Sequence, residues 1–323
     1  MTVQTLKEYL CCLPTGAVVT GHAAPDTDAV ISALFEAYRL TLSGTPAVPM
    51  IQDGIPRETA WLLGELADLV PVGEVPNHLP LVLTDHHDVD RYPNPITAIA
   101  DHHPVSADTP LDGIDAEIKP VGAATTLVAC RIQKDGITPD STCARILLGA
   151  ILLDTEGLSS RKAKTEDVET AKWLYSLCGE NPRELFSALQ EQLLSEEDVT
   201  TLYRRDYRRY TDPEGNLRLG WAILKVWADA CPDLADVRRL LAEDTAPTRV
   251  AKIVLNNREK GNRTEYYLAG GEEAEAMLTL VQTMGGETAR RTADDTVFLP
   301  EDAQHWGRKR YVAMLEESWR KKS

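Results

Sequence analysis

Short apolar runs and longer amphipathic stretches alternate along the first half of the chain. The runs GAVVT (16–20), LPLVLT (79–84) and ITAIA (96–100) predict strands, whereas DAVISALFEAYRL (28–40) and RETAWLLGELADL (57–69) repeat their apolar residues at helical spacing. This alternation, sustained from residue 16 to about 155, predicts an α/β unit: a doubly wound parallel sheet with helices on both faces. Ligands of such sheets bind beyond the carboxyl ends of the strands, so the residues that follow each strand carry the functional expectation.

Between about 180 and 205 the pattern turns helical and charged, in NPRELFSALQEQLLSEEDVTTLYRRDYRRY, without a strand signal. We read it as a connector. Beyond it LRLGWAILKVW, RVAKIVLNN, TEYYLAGG and DTVFLP predict strands, with helices near 233–243, 272–284 and 308–320. The expected division is therefore a first domain over 1–190, a helical linker over 191–202 and a smaller second α/β domain over 203–323.

Composition narrows the chemistry. With 323 residues and 43% hydrophobic content the chain can fill two cores, and its net charge of -16 argues against a broad nucleic-acid surface, which needs basic stripes. Phosphate chemistry would have to sit in a local pocket. The six cysteines form no CxxC pair and read mostly as buried thiols of a reducing compartment. No basic leader is seen, and no run approaches the roughly 18 apolar residues of a membrane span, so a cytoplasmic protein is expected.

The candidate chemistry lies at the ends of four elements. GAVVT runs into His22, Asp26 and Asp28; LPLVLT into Asp85, His86 and His87; ITAIA into Asp101, His102 and His103; and the apolar run ILLGAILL, read as a fourth such strand end, into Asp154. A lone aspartate after a strand is ordinarily a helix cap or turn former. Here, however, five of the seven histidines stand within a few positions of an aspartate at these ends, which turn propensity does not explain. His78 and His305 stand apart and read as surface or hydrogen-bonded residues. Oxygen-rich ligation with one or two imidazoles per ion suits manganese, cobalt or magnesium. The carboxylates suffice for two ions about 3.5–4 Å apart, which can hold a hydroxide and clamp an in-line displacement at phosphorus.

These residues carry a family resemblance. GHAAPDTDA resembles the first motif of the DHH phosphoesterase superfamily, TDHHD the second, ADHHP the third and ILLDT the fourth. KPVGAATTL is similar to the stretch between the third and fourth motifs in family II inorganic pyrophosphatases and prune-type exopolyphosphatases. WGRKRYVAMLEE resembles the Ser-Arg-Lys motif of the DHHA2 domain that both groups share. The resemblance spans essentially the whole chain. It implies an N-terminal DHH domain and a C-terminal DHHA2 domain, with the active site in the cleft between them and, for the family, a homodimer.

Carried over residue by residue, the resemblance implies one metal on His22, Asp26 and Asp85 and a second on Asp28, Asp85, His102 and Asp154. Asp85 would bridge them. His103 would contact substrate beside the leaving group, Arg308 and Lys309 would bind phosphate, and Arg208 aligns loosely with a substrate-binding lysine. The implied activity is manganese- or cobalt-dependent hydrolysis of pyrophosphate, with magnesium arriving on the substrate and catalysis resting on Asp85 and His103. A prune-like exopolyphosphatase is the alternative. A DHH nuclease, or a polyphosphate-binding protein without activity, stands further off. Asp85-His86-His87 departs from the Asp-His-Asn usual in the pyrophosphatases and is similar to animal prune, as is EGLSSRKAKTEDV, whereas His22 and the Asp101-His102-His103 run look like pyrophosphatase motifs. Partners are then pyrophosphate or short polyphosphate, with neither nucleic acid nor membrane.

Overall fold

The computed structural model describes residues 5–106, 109–159, 161–194, 198–212, 214–257 and 262–322; the side chains of 309, 318 and 320–322 are outside the description. The chain divides into two compact units, Met1–Leu193 and Leu194–Ser323.

In the first unit the strands β1 (Ala17–Thr20), β2 (Ala47–Pro49), β3 (Leu81–Thr84), β4 (Ile96–Asp101) and β5 (Asp115–Ile118) form one parallel sheet in the order β2-β1-β3-β4-β5. The helices are α1 (Leu6–Cys11), α2 (Thr27–Leu42), α3 (Arg57–Leu63), α4 (Ala124–Lys134), α5 (Ser141–Asp154), α6 (Thr165–Cys178) and α7 (Pro182–Leu193). From β1 the chain winds outward to β2, then crosses back to build β3, β4 and β5 on the other side. The strand order therefore reverses between β1 and β3, the kind of crevice where open α/β sheets bind ligands. His22 follows β1 and Asp85 follows β3, so the topology alone brings them to that point.

Local chemistry fixes the ends. Asp26 caps α2, its Oδ1 accepting from the Ala29 amide at 3.1 Å. Gly21 is required by close approach, since a Cβ there would lie 2.6 Å from the Ala29 carbonyl oxygen. The body of α2 is buried on nearly every side, with Val30, Ile31, Leu34 and Phe35 in the main core beside α4 and α5.

Several expectations are corrected. ILLGAILL is not a strand: it lies within α5, capped by Asp140, whose Oδ1 accepts from the Cys143 amide at 2.8 Å. Asp154 thus stands at the end of a buried helix, whose apolar sides leave no periodicity to separate it from a buried strand. The expected helix over 57–69 breaks at Gly64, where φ is +58° and a 3-10 segment, Gly64–Leu69, takes over. β2 and β5 carried no clear signal; β5, with the sequence DAEI, is a polar edge strand. Of the six cysteines only Cys143 is buried, and four are exposed.

The second unit opens with α8 (Val199–Arg205). Its sheet contains β6 (Tyr207–Thr211), β7 (Leu217–Trp227), β8 (Thr248–Asn256), β9 (Arg263–Gly271), β10 (Arg290–Arg291) and β11 (Val297–Leu299), ordered β10-β11-β9-β8-β7-β6. Among the described residues of this sheet only β7 and β8 pair in parallel, joined through α9 (Leu234–Glu243); α10 (Ala274–Gly285) and α11 (Arg308–Lys322) follow. Its core comprises two apolar clusters, one around Trp221, Tyr267 and Tyr311, the other around Leu224, Ile253 and Leu268. YRRYT, read as part of a helical connector, is the edge strand β6 and carries Arg208 opposite Trp221 on β7. Its alternation is half-exposed and charged, so the preceding helical pattern hid it.

Candidate metal centre

Asp85 is the hub of the first unit's site. It leaves β3 at φ +60°, in the left-handed region, and the residue is 1% exposed. Its Oδ2 lies 3.3 Å from His22 Nε2 and its Oδ1 lies 3.1 Å from His102 Nε2. The remaining candidate ligands close around these two imidazoles. Asp26 Oδ2 is 4.0 Å from His22 Nε2, Asp154 Oδ2 is 3.5 Å from His102 Nε2, and Asp28 Oδ2 is 3.9 Å from it.

Both imidazoles are held so that Nε2 faces the carboxylates. His22 Nδ1 donates to the Ala23 carbonyl at 2.9 Å and His102 Nδ1 to the Val121 carbonyl at 3.1 Å. A donor at Nδ1 fixes the tautomer and leaves the Nε2 lone pair toward the site, the usual outer support of a metal-bound histidine. Asp28 is held by the start of α4: the Ala124 amide donates to Oδ2 at 2.6 Å and the Thr125 amide to Oδ1 at 2.8 Å. The loop that carries Val121 is tied in turn to the buried Asp167, which accepts from the Gly122 amide at 2.7 Å and the Thr126 hydroxyl at 2.6 Å. Any side chain at position 122 would collide with Thr155 and Asp167.

The donor set fits divalent cations. Three groups each gather potential ligand atoms within 4.8 Å of one another: His22, Asp26 and Asp85; Asp28, His102 and Asp154; and Asp85, His102 and His103. Asp85 Oδ1 is buried without a well-formed hydrogen bond, an orphaned oxygen that a cation would satisfy. Electrostatics show the same strain. Burial alone would lower both imidazoles, but Asp85 and its carboxylate neighbours push His22 up to about 9 and His102 up to about 10. Burial and the charges of Asp85 and Asp154 raise Asp28 well above the usual carboxylate range, and burial pushes Asp154 up to about 6 despite Lys162 and His102. Asp85 is held below that range against its own burial by His102 and His22. Protons thus occupy the place of cations in a site built around negative charge.

Beside the ligands lies a second polar array. The fully buried Asp101 accepts from the His102 amide at 2.7 Å and the His103 amide at 3.1 Å, and its Oδ1 takes His103 Nδ1 at 2.9 Å. Its Oδ2 takes His87 Nδ1. His103 Nδ1 is also 3.6 Å from Asp85 Oδ1. His86, between these groups in sequence, is buried and pushed down to about 4 by that burial, and it packs against Tyr92.

The first unit therefore brings together His22, Asp26, Asp28, Asp85, His102, His103 and Asp154. The other expected site residues lie in the second unit. Arg308 Nη1 donates to the Asp206 carbonyl at 3.0 Å and the Trp221 carbonyl at 3.1 Å, and Nη2 to Asp206 Oδ1 at 2.8 Å. It is thereby fixed beside the start of β6, the strand that bears Arg208. The side chain of Lys309 lies outside the described residues. Sequence reasoning gave no role to Asp101 or Asp167: the first was visible as a strand end, while the second acts only through contacts between distant segments. His78 is exposed on a turn and His305 Nε2 donates to the Pro300 carbonyl at 3.0 Å.

No protein-family model matches the chain. It is 28% identical over 299 residues to a probable manganese-dependent inorganic pyrophosphatase of Deinococcus radiodurans, covering 85% of this chain and 92% of that protein. Against a manganese-dependent inorganic pyrophosphatase of Methanothrix thermoacetophila it is 28% identical over 196 residues, 58% of this chain and 62% of that protein. Its fold is similar to the crystal structure of a putative family II inorganic pyrophosphatase of Methanococcus jannaschii, with a TM-score of 0.70 at 23% identity, covering 94% of this chain and 99% of that one.

Proposed function

We propose that this chain, which resembles the DHH/DHHA2 phosphoesterases in its motifs, is a metal-dependent phosphoanhydride hydrolase that converts pyrophosphate and water into two phosphates. The observation that carries this reading is Asp85, buried between His22 and His102 at the sheet's reversal point, with one carboxylate oxygen facing each imidazole and Oδ1 in no well-formed hydrogen bond. His22, Asp26 and Asp85 would hold one cation, and Asp28, Asp85, His102 and Asp154 a second. Manganese, or cobalt, suits these ligands, with magnesium accompanying the substrate. When bound, the pair supplies a water acidic enough to ionise near neutrality and neutralises charge on phosphoryl oxygens.

The chain's own residues do the rest. Fixed tautomers keep His22 and His102 presenting Nε2, and the α4 amides keep Asp28 oriented, so no reorganisation is needed at the moment of reaction. Asp101 holds His103 through Nδ1 and its carboxylate complements an imidazolium, the form in which Nε2–H would serve the departing phosphate as hydrogen-bond donor or general acid. Arg308 and Lys309 are assigned to phosphate binding on the strength of the C-terminal motif, and Arg208 on its loose alignment with a substrate-binding lysine; Arg308 is held by Asp206.

The test is phosphate release from pyrophosphate by purified protein with Mn2+; no turnover with Mn2+, Co2+ or Mg2+ sinks the reading. A short-chain exopolyphosphatase is the second reading, favoured by a cavity of about 320 Å³ lined in part by His87, Arg91, Ser106 and Thr109, which offers room beside the Asp101 array. Initial rates on di-, tri- and tetraphosphate separate the two.

A further inference from the structure

Lys162 has no part in the ligand set, yet it stands against it. Its Nζ lies 3.8 Å from Asp154 Oδ1, while Oδ2 of the same carboxylate faces His102 Nε2 at 3.5 Å. One carboxylate therefore presents one edge to the proposed cation and the other to an ammonium.

The backbone determines where this lysine emerges. After α5 the chain turns back on itself, the Ser159 amide donating to the Thr155 carbonyl and the Lys162 amide to the Ser159 carbonyl, each at 3.0 Å. Two residues on, the Lys164 amide donates to Asp167 at 2.7 Å, the same carboxylate that anchors the loop supporting His102 and the start of α4. The neighbouring Arg161 pairs with Glu156. Lys162 itself is 44% exposed, so its hydrated ion pair with Asp154 contributes little to folding. Four carboxylates, Asp26, Asp28, Asp85 and Asp154, converge here. A polyanion approaching that field gains from a cation that the protein itself supplies, and a lysine on a flexible stem can follow a phosphoryl group.

We propose that Lys162 is a substrate-binding residue, its ammonium taking a phosphoryl oxygen of the phosphoanhydride on the Asp154 side of the site. The inference rests on the reading of this chain as a phosphoanhydride hydrolase and adds to its first unit a lysine contact to phosphate besides His103.

The experiment compares the full chain with Lys162→Ala and Lys162→Arg by two calorimetric titrations: Mn2+ into metal-free protein, and the non-hydrolysable imidodiphosphate into Mn2+-loaded protein. Pyrophosphate kinetics accompany them. Lys162→Ala is expected to bind imidodiphosphate about tenfold more weakly and to raise KM by about as much with a smaller change in kcat. It should bind Mn2+ as well as the parent or better, because a cation beside Asp154 has gone. Lys162→Arg should recover most of the loss. Tighter Mn2+ binding with unchanged imidodiphosphate affinity would overturn the proposal, leaving Lys162 as a counter-ion of Asp154. Weakening of both ligands would overturn it too, as damage to the turn. Failure of the parent protein to hydrolyse pyrophosphate or triphosphate would instead strike the functional reading, while the imidodiphosphate titration still decides whether Lys162 binds a diphosphate.

Discussion

His102 and Asp85 face each other across 3.1 Å with the imidazole's Nδ1 already committed to the Val121 carbonyl. The atoms that meet are a ring nitrogen and a carboxylate oxygen, and either a proton or a cation must lie between them. Replacing Asp85 by alanine removes the group common to both proposed cations. We expect kcat/KM to fall by at least roughly a thousandfold, about 4 kcal/mol of transition-state stabilisation, and calorimetry to show fewer Mn2+ ions bound. Retention of near-parental turnover would contradict the two-cation arrangement.

Legibility in the sequence followed the strength of each local signal. β1, β3 and β4 were readable because a short β-branched run ended abruptly in ligand-type residues, and the ligands themselves were readable as a set. α5 was misread because ILLGAILL is apolar without a period, although Asp140 before it was an available cap signal. β6 was hidden by charge. Asp101 and Asp167 could not be given roles from the sequence, since one acts by receiving His87 and His103 and the other by tying α6 to a loop far away in the chain.

The raised imidazoles predict opposite pH trends with and without metal. His22 and His102 titrate at about 9 and about 10 in the folded chain, above the ordinary value near 6.5 for an unfolded histidine. Their stabilisation is complete below about pH 6.5 and is lost as pH rises through 9 to 10. The metal-free protein should therefore lose about 5 °C in Tm between pH 6.5 and 9.5. Mn2+ must displace those protons, so the Tm gained on adding Mn2+ should grow over the same range. A metal-induced gain that shrinks with pH would contradict this account.

Asp101→Asn separates the polar array from the ligands. Asp101 touches no proposed cation, but it holds His103 and His87 and is itself kept below the usual carboxylate range, against its burial, by His103 and His87. An amide accepts through one oxygen, which the His102 and His103 amides claim, so its NH2 turns to His87 and the negative charge that complements a protonated His103 is gone. Expected is a fall in kcat of about a hundredfold with Mn2+ affinity nearly unchanged. Equal losses in both would mean that Asp101 supports the fold of the site rather than a protonated His103.

The second unit offers a test that leaves the metal ligands untouched. On adjacent strands β8 and β9, Lys252 Nζ meets Glu265 Oε1 at 2.8 Å, with Arg263 Nε on the same oxygen at 3.1 Å. Tyr267 donates to Oε2 at 2.8 Å and His305 Nδ1 lies 3.2 Å from it. Lys252 also donates to the Trp306 carbonyl at 3.1 Å, just before α11. Burial pushes Lys252 down to about 8 even against the pull of Glu265, while the hydrogen bond from His305 and the charges of Lys252 and Arg263 hold Glu265 at about 2 in spite of its own burial. Glu265→Gln leaves the buried ammonium without its counter-charge, and we expect about 3 kcal/mol of destabilisation in chemical denaturation. Replacing both partners by apolar residues, Lys252→Met with Glu265→Leu, should cost less than that single change. If the double variant is instead the less stable, the pair contributes net stability and is not merely a charge that must be neutralised once buried.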